Sequence, residues 1–269
     1  MMGRSHALSG AVGWLAGCAS LTAIEVAVPS TIIVAGAFVS AGFALLPDLD
    51  HEGSTVSRTL GPITGFLSGL TAASSVAVRA SSCRHCASTT DGGHRGLTHT
   101  AAGALAMGLL VTACALLWPH VTAWTVIGFG VWLAAHTALS SRLRARIGDM
   151  VLPGRFRRRG RLPFRVTAGV GALLIAVLAA AMLVGPVAGG WWWLGLPVFW
   201  GCLAHTLGDA LTFSRVPLLW PLQIRGCRWT PVGTPRWMRF RTGSTTEKVV
   251  VGVMAVAGGA AVYMLAVGG

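Results

Sequence analysis

Residues 30–51 read STIIVAGAFVSAGFALLPDLDH, and this stretch contains both features that decide the fold. The apolar run over 30–46 is within the range of about 17 to 25 residues that a helix needs to cross a bilayer. The run ends at Pro47, which cannot continue a helix, and polar side chains follow at once at Asp48, Asp50 and His51. The stretch therefore predicts a membrane-spanning helix with carboxylates and an imidazole at one end.

The composition of the whole chain is typical of a membrane protein. Of its 269 residues, 54% are hydrophobic and only 11% are charged, and the mean hydropathy is +0.68. A soluble domain usually has about 25% charged residues, so a soluble globule is not expected. The net charge is +13, but the basic residues cluster in a few loops and no nucleic-acid recognition motif accompanies them. We therefore expect contact with anionic lipids and no binding to nucleic acid.

Apolar stretches recur along the chain and predict an all-α fold, a polytopic transmembrane helical bundle that forms one domain over residues 1–269. About seven spans are predicted, at residues 7–23, 30–46, 100–118, 122–139, 166–184, 190–208 and 248–267. Another apolar stretch, 63–79, is interrupted by hydroxyl side chains and predicts an interfacial or re-entrant helix. A basic insertion at 140–165 separates two of the spans.

The distribution of arginine supports this topology. If 63–79 does not cross, every Lys and Arg falls on one side of the membrane, and the opposite loops near 24–29, 119–121 and 185–189 contain none. Basic loops mark the cytoplasmic side. The sequence therefore predicts an inner-membrane, multi-pass protein with its N-terminus and long loops in the cytoplasm.

Four polar motifs fall on that same side. Besides PDLDH at 47–51, the segment HRGLTHT at 94–100 offers two imidazoles and a guanidinium, and the helix end HTLGD offers an imidazole and a carboxylate four residues apart. That interval places both ligands on one helix face. The last pieces are His6 before the first span and Glu247 before the last. Ionisable residues at membrane depth are costly, so the set predicts a functional site.

In this order the motifs resemble the YdjM-like family of inner-membrane-associated, metal-dependent hydrolases, which is also described as LexA-binding. The resemblance runs from His6 through PDLDH and HRGLTHT to AHTLGDALTFSRVPLLWPL at 204–222 and Glu247. It implies metal-dependent hydrolysis. This chain differs from shorter members by a longer stretch at 53–93 and by the insertion at 140–165. A more distant similarity to zinc-dependent phospholipase C and nuclease P1 enzymes suggests a phosphoester substrate by analogy.

The resulting hypothesis is a hydrolase that binds one or two divalent ions, with zinc favoured and manganese or magnesium as alternatives. The expected substrate is a lipid headgroup or lipid-linked phosphate, because the site lies where headgroups are. Arg95 is expected to hold developing negative charge, and Glu247 to act as a base or additional ligand. The expected metal ligands are His6, Asp48, Asp50, His51, His94, His99, His205 and Asp209.

Two alternatives remain open at this level. A transporter or channel would use intramembrane His and Asp as an ion path, and it predicts polar residues distributed through the depth of several spans. A regulatory membrane protein would bind a partner through its basic loops, and it predicts dependence on the arginines at 155 and 157–159. The sequence does not identify the metal, the substrate or the oligomeric state.

Overall fold

Long apolar helices form the framework of the protein in the computed structural model, which describes residues 1–51, 54, 56–58, 62–83, 95–151, 164–185 and 190–268. Each predicted span overlaps one of these helices, although several extend beyond its ends, and no strand occurs within the described ranges. The helices are α1 (Gly3–Ala23), α2 (Ser30–Phe43), α3 (Pro62–Ser82), α4 (Ala101–Leu117), α5 (Pro119–Ala138), α6 (Ser141–Val151), α7 (Phe164–Leu183), α8 (Gly195–Ala210) and α9 (Thr245–Gly268).

Four segments are long and apolar enough to cross a membrane, namely Ser30–Asp50, Pro119–Ala138, Val166–Leu183 and Thr245–Gly268. The predicted number of seven spans is not confirmed. Of the remaining helices, α4 has 17 residues and α8 has 16, fewer than the roughly 20 residues of a typical span. The 21 residues of α1 are numerous enough, but its first turn is polar, with Arg4, Ser5 and His6.

Helix α3 has the reverse of the amphipathic pattern of a soluble surface helix. Its hydroxyl side chains at Thr64, Ser68 and Ser75 are buried, whereas Phe66 is 73% exposed and Leu70 is 54% exposed. The buried face packs on the short 3-10 turns Leu46–Asp50, Val56–Arg58 and Leu97–His99. An outward apolar face of this kind fits a lipid environment. Whether 63–79 crosses the membrane or lies at its surface, as predicted, does not follow from this face alone.

The basic insertion contains a helix that the sequence patterns did not indicate. Helix α6 runs antiparallel to the first turns of α7, and the two backbones approach at Gly148 and Gly171, where an added Cβ would collide with the facing helix. Small residues are the usual means of such close approach. The arginine-rich remainder of the insertion, 152–163, lies outside the described residues.

Three helices meet at Ser40 of α2 in the centre of the bundle. A Cβ added at Gly10 of α1 or at Gly201 of α8 would collide with the Ser40 carbonyl oxygen, and the Ser40 hydroxyl donates to the Pro197 carbonyl at 3.1 Å. Near the same level Gly42 packs against the backbone of Gly130 in α5. These contacts fix α2 against α1, α5 and α8, and thus fix the residues that follow α2.

Replacement of Gly42 by Ala tests this packing. The added methyl group has no space beside Gly130, so the helices must separate. We expect a loss of about 1 to 3 kcal/mol in the free energy of unfolding, measured as a lower thermal midpoint in detergent.

The matched control is Gly252→Ala on α9, where an added Cβ meets nothing within 4 Å. This variant should unfold at the same temperature as the wild type or higher, because alanine favours helix by up to about 1 kcal/mol. Equal midpoints for the Gly42 variant and the wild type would contradict the close crossing.

Candidate metal centre

The acidic turn after α2 presents its two aspartates in different directions. Helix α2 ends at Phe43, and the chain continues as the 3-10 turn Leu46–Asp50, with Pro47 in its first positions. A 3-10 helix has three residues per turn, so side chains two positions apart diverge by roughly 120°. Asp48 therefore faces His205, while Asp50 faces the other side of His99.

His99 lies in a second short turn, Leu97–His99, just before α4. The turn is held by Thr100, the N-cap of α4, whose hydroxyl donates to the Leu97 carbonyl at 2.8 Å and accepts from the Gly103 N–H at 2.8 Å. The His99 ring is completely buried. One ring nitrogen, Nδ1, lies 3.4 Å from Asp50 Oδ2 and 3.0 Å from the Thr98 hydroxyl. The other nitrogen, Nε2, is left for the centre of the site.

Helix α8 contributes His205 and Asp209 from one face. The Nδ1 atom of His205 lies 2.7 Å from the Ala44 carbonyl oxygen. This contact fixes the ring and directs Nε2 toward His99. A histidine that ligates a metal commonly donates its other N–H to a carbonyl or carboxylate. Both His99 and His205 have this arrangement.

Three of these side chains form a compact group of nitrogen and oxygen atoms. The two Nε2 atoms of His99 and His205 are 3.2 Å apart, and Asp48 Oδ1 lies 3.8 Å and 3.5 Å from them, respectively. Ligands at about 2.0 to 2.2 Å around a tetrahedral ion are separated by roughly 3.3 to 3.6 Å. The Oδ2 atom of Asp209 lies 3.8 Å from His99 Nε2 and 3.9 Å from His205 Nε2, as an additional oxygen.

A second group consists of His6, His205 and Asp209, and all three residues are buried. The His6 ring stacks on the His205 ring, with 3.8 Å between the centroids. Its Nε2 atom lies 3.3 Å from Asp209 Oδ1, and the Met1 amino group donates to the same oxygen at 2.7 Å. The Nδ1 atom of His6 is buried without a hydrogen-bond partner within the described residues. Asp209 thus directs one oxygen toward each group.

The electrostatic environment of the centre favours positive charge. Burial opposes protonation of His99, but its contacts with the carboxylates of Asp48 and Asp50 raise its pKa to about 9. Asp50 and Asp209 are also buried, and a buried carboxylate needs a compensating positive charge. The same charge distribution attracts a divalent cation.

Arg95 lies at the edge of the centre in a backbone conformation that side chains rarely adopt. Its φ is 57°, and its backbone N–H donates to Asp50 Oδ2 at 3.1 Å. Its Nε atom lies 3.4 Å from Asp209 Oδ2, without hydrogen-bond alignment. A left-handed conformation at a residue other than glycine is a feature that clusters at functional sites. The side chain is 27% exposed, so the guanidinium remains accessible.

Two further predicted site residues, His51 and Glu247, belong to neither group. His51 is exposed. His94 lies outside the described residues. The Glu247 carboxylate accepts hydrogen bonds from the Met2 N–H, the Ser5 hydroxyl and the Gly243 N–H, all at 2.6 to 2.7 Å. This arrangement holds the segment that precedes His6 and favours a positioning role for Glu247.

Some contributors were not predicted from the sequence. Thr98 donates to Asp50 Oδ2 at 2.7 Å, and its place inside HRGLTHT, next to His99, was the available signal. Ser5 stands next to His6 in the same way. The Ala44 carbonyl that fixes His205 had no signal, because any residue can supply a backbone carbonyl.

Comparison with known proteins identifies the family of this chain. A family profile described as YdjM inner membrane protein matches residues 1–141 and 167–268. The chain belongs to the YdjM inner membrane protein family. All predicted ligands of this YdjM family member fall within the matched ranges. The unmatched residues, 142–166, nearly coincide with the predicted insertion at 140–165. No curated protein and no solved structure gives a significant match.

The donor set fits a divalent metal, since imidazole nitrogens and carboxylate oxygens converge and His6 Nδ1 has no other partner in the described part of the chain. We expect His205→Ala to lose bound zinc, because His205 belongs to both groups. The measurement is metal content after zinc loading, by plasma mass spectrometry. The matched control is His136→Ala, since His136 Nδ1 instead contacts the Trp132 carbonyl at 3.0 Å.

The Asp50→Asn variant tests whether Asp50 binds the metal directly or only orients His99. Because Asp50 contacts Nδ1 of His99, we expect zinc affinity to fall by about 10-fold to 100-fold without being abolished. Complete loss of zinc would make Asp50 a direct ligand, as the sequence predicted.

For the His205 experiment, equal zinc content in the variant and the wild type would contradict the proposed centre.

Proposed function

We propose that this protein is a membrane-bound, metal-dependent hydrolase that acts on a phosphoester, either a lipid headgroup or a lipid-linked phosphate. The observation that carries the proposal is the pair of His and Asp groups that share His205, in which every residue except the partly exposed Asp48 is buried. They lie where α2 ends and where α8 ends. A YdjM family member with such a centre has the ligands that hydrolytic metal sites use.

A divalent metal, with zinc favoured and manganese or magnesium as alternatives, would supply Lewis acidity and an activated water. Asp48, His99, His205, Asp209 and His6 would hold it. Asp50 and the Ala44 carbonyl orient the two imidazoles through their Nδ1 atoms. Glu247 holds the start of α1, and thereby His6, through Met2 and Ser5.

Arg95 is the residue best placed to bind the phosphoryl group. Its guanidinium adjoins Asp209 and is partly exposed, and a guanidinium matches the geometry of phosphate oxygens. Contacts that strengthen as negative charge develops contribute more to the reaction rate than to substrate binding. Arg95 adopts a left-handed backbone conformation, and its Nε atom lies 3.4 Å from Asp209 Oδ2.

The surroundings of the centre support a lipid substrate. The apolar segment Ser30–Asp50 ends in the acidic turn itself, so the site adjoins the membrane boundary. Helix α3 packs on the two turns that carry Asp48 and His99, and it presents Phe66 and Leu70 outward. The basic loops support a cytoplasmic position for this face, on the side of the anionic lipids.

The same distribution argues against a transporter. In the described residues, the buried ionisable side chains His6, Asp50, His99, His205, Asp209 and Glu247 all lie at or beside the centre. An ion path would need polar groups at several depths. Buried ionisable side chains that gather at one end of the bundle are instead suited to hydrolysis at the membrane surface.

Hydrolysis can be tested with zinc-loaded protein in vesicles that contain phospholipids or polyprenyl phosphates, with mass spectrometry of the released products. Wild-type protein should release a headgroup or phosphate. We expect Arg95→Gln to lower kcat about 100-fold to 1000-fold with zinc content unchanged, because it removes a contact to developing charge. The matched control, Arg142→Gln on α6, should keep wild-type activity.

The absence of turnover of any of these phosphoesters by zinc-loaded wild-type protein would reject this function. Equal kcat for Arg95→Gln and the wild type would reject the proposed role of Arg95 and leave the function standing.

The position of α3 has its own test, through a photoreactive benzoylphenylalanine placed at Phe66 or at Arg228 in vesicles. Phe66 is on the outward apolar face, so we expect lipid adducts at this position. Arg228 is exposed in the loop beside Trp229, whose indole N–H donates to Ser82 at the end of α3 at 2.8 Å. Few adducts are expected there, and equal yields at both positions would refute a lipid-facing α3.

A further inference from the structure

A groove of about 460 Å³ runs along the outside of the bundle, separate from the metal centre. It lies between α1, α2 and α5. Its floor consists of alanines, including Ala7, Ala11 and Ala37, and its walls include Leu8, Leu15 and Phe38. One charged residue, Arg4, contributes to the described lining. The groove is therefore apolar along its length and positive at one end.

The dimensions of the groove match one half of a bilayer. Arg4 and Leu15 are eleven positions apart on α1, which corresponds to about 16 Å of helix. Half of the hydrocarbon core is about 15 Å thick. At the Arg4 end the groove also reaches Ala41 and Ala138, near the ends of α2 and α5. The groove thus extends from the face of the metal centre to about the middle of the membrane.

Arg4 is fixed at that end. Its Nε–H donates to the Thr137 carbonyl at 3.0 Å, which attaches the first turn of α1 to the last turn of α5. His6 is two positions further along α1, so its side chain points roughly 160° away from that of Arg4, toward the metal centre. The guanidinium of Arg4 thus serves the groove and not the metal groups.

The charge at one end of the groove favours a lipid over a partner helix. An apolar helix, about 10 Å in diameter, offers no negative group to Arg4. A single extended hydrocarbon chain is narrower, and the positive end selects a negatively charged headgroup. A second apolar groove, of about 540 Å³ between α5 and α7, has no charged residue in its described lining and therefore no means of selecting a headgroup.

We propose that this groove is a binding site for an anionic phospholipid of the adjoining leaflet, with one acyl chain along α1 and α2 and the phosphate on Arg4. The site is distinct from the proposed hydrolytic centre and does not depend on it. A lipid held there ties α1, α2 and α5 together beside the turn that carries His6.

The test is native mass spectrometry of the purified full-length protein, titrated with phosphatidylglycerol or phosphatidylcholine. The first phosphatidylglycerol should bind more tightly than phosphatidylcholine. Arg4→Gln should weaken its binding about fivefold, the effect of one basic residue near an anionic headgroup, and should remove the preference. Ala37→Phe, which fills the groove, should weaken both lipids, and phosphatidylglycerol with eight-carbon chains should bind less tightly than the long-chain form.

The matched controls are Arg142→Gln on α6 and Ala255→Phe on the exposed face of α9, and both should bind like the wild type. Zinc content, measured in parallel, should be unchanged in the Arg4 and Ala37 variants. Wild-type affinity for phosphatidylglycerol in both groove variants would overturn the proposal, as would equal binding of the two lipids by the wild type. Either result would leave the hydrolase proposal unaffected.

Discussion

The burial of the Asp209 carboxylate is the constraint around which the site is organised. A buried negative charge is stable only when positive or hydrogen-bonding groups surround it. The Met1 amino group and His6 approach one oxygen, and Arg95, His99 and His205 approach the other. These partners come from α1, from the segment before α4 and from α8 itself. Compensation of one carboxylate therefore requires that distant parts of the chain converge.

That convergence depends on how closely the helices can approach. Gly10 of α1 and Gly201 of α8 pack against the Ser40 carbonyl oxygen, and Gly42 packs on Gly130 of α5. With α2 fixed at this crossing, the residues that follow it lie against His205. The Ala44 carbonyl contacts Nδ1 of His205, and Asp48 lies next to Nε2 of the same ring. The geometry of the ligands is thus a consequence of backbone contacts within the apolar bundle.

Much of the fold could be predicted, because long apolar stretches of a membrane protein form helices. The one-sided arginine distribution predicted that the polar motifs share one membrane face, and the structure brings Asp48, His99, His205, Asp209 and His6 together. The number of spans could not be settled in this way, since α4 and α8 are shorter than their apolar patterns suggested. Helix α6 was not predicted because its charged sequence has no apolar repeat of spanning length.

The roles of individual side chains were harder to predict than their location. Residue spacing does not tell which nitrogen of an imidazole a carboxylate will contact, so Asp50 could not be distinguished from Asp48. Glu247 was placed with the site because it precedes the last helix, yet its Oε1 accepts hydrogen bonds from the start of α1 and its Oε2 accepts one from the Gly243 N–H. Such distinctions depend on three-dimensional directions that a linear pattern does not contain.

Helix α6 shows how a segment could be added to this protein during evolution. Among the helices, α6 has extensive contacts with α7 alone, and the family profile skips 142–166. A segment attached through one neighbour can be gained, lost or exchanged during evolution without disturbing the ligands of the centre. Selection could therefore alter this part of the protein surface independently of the centre beside it.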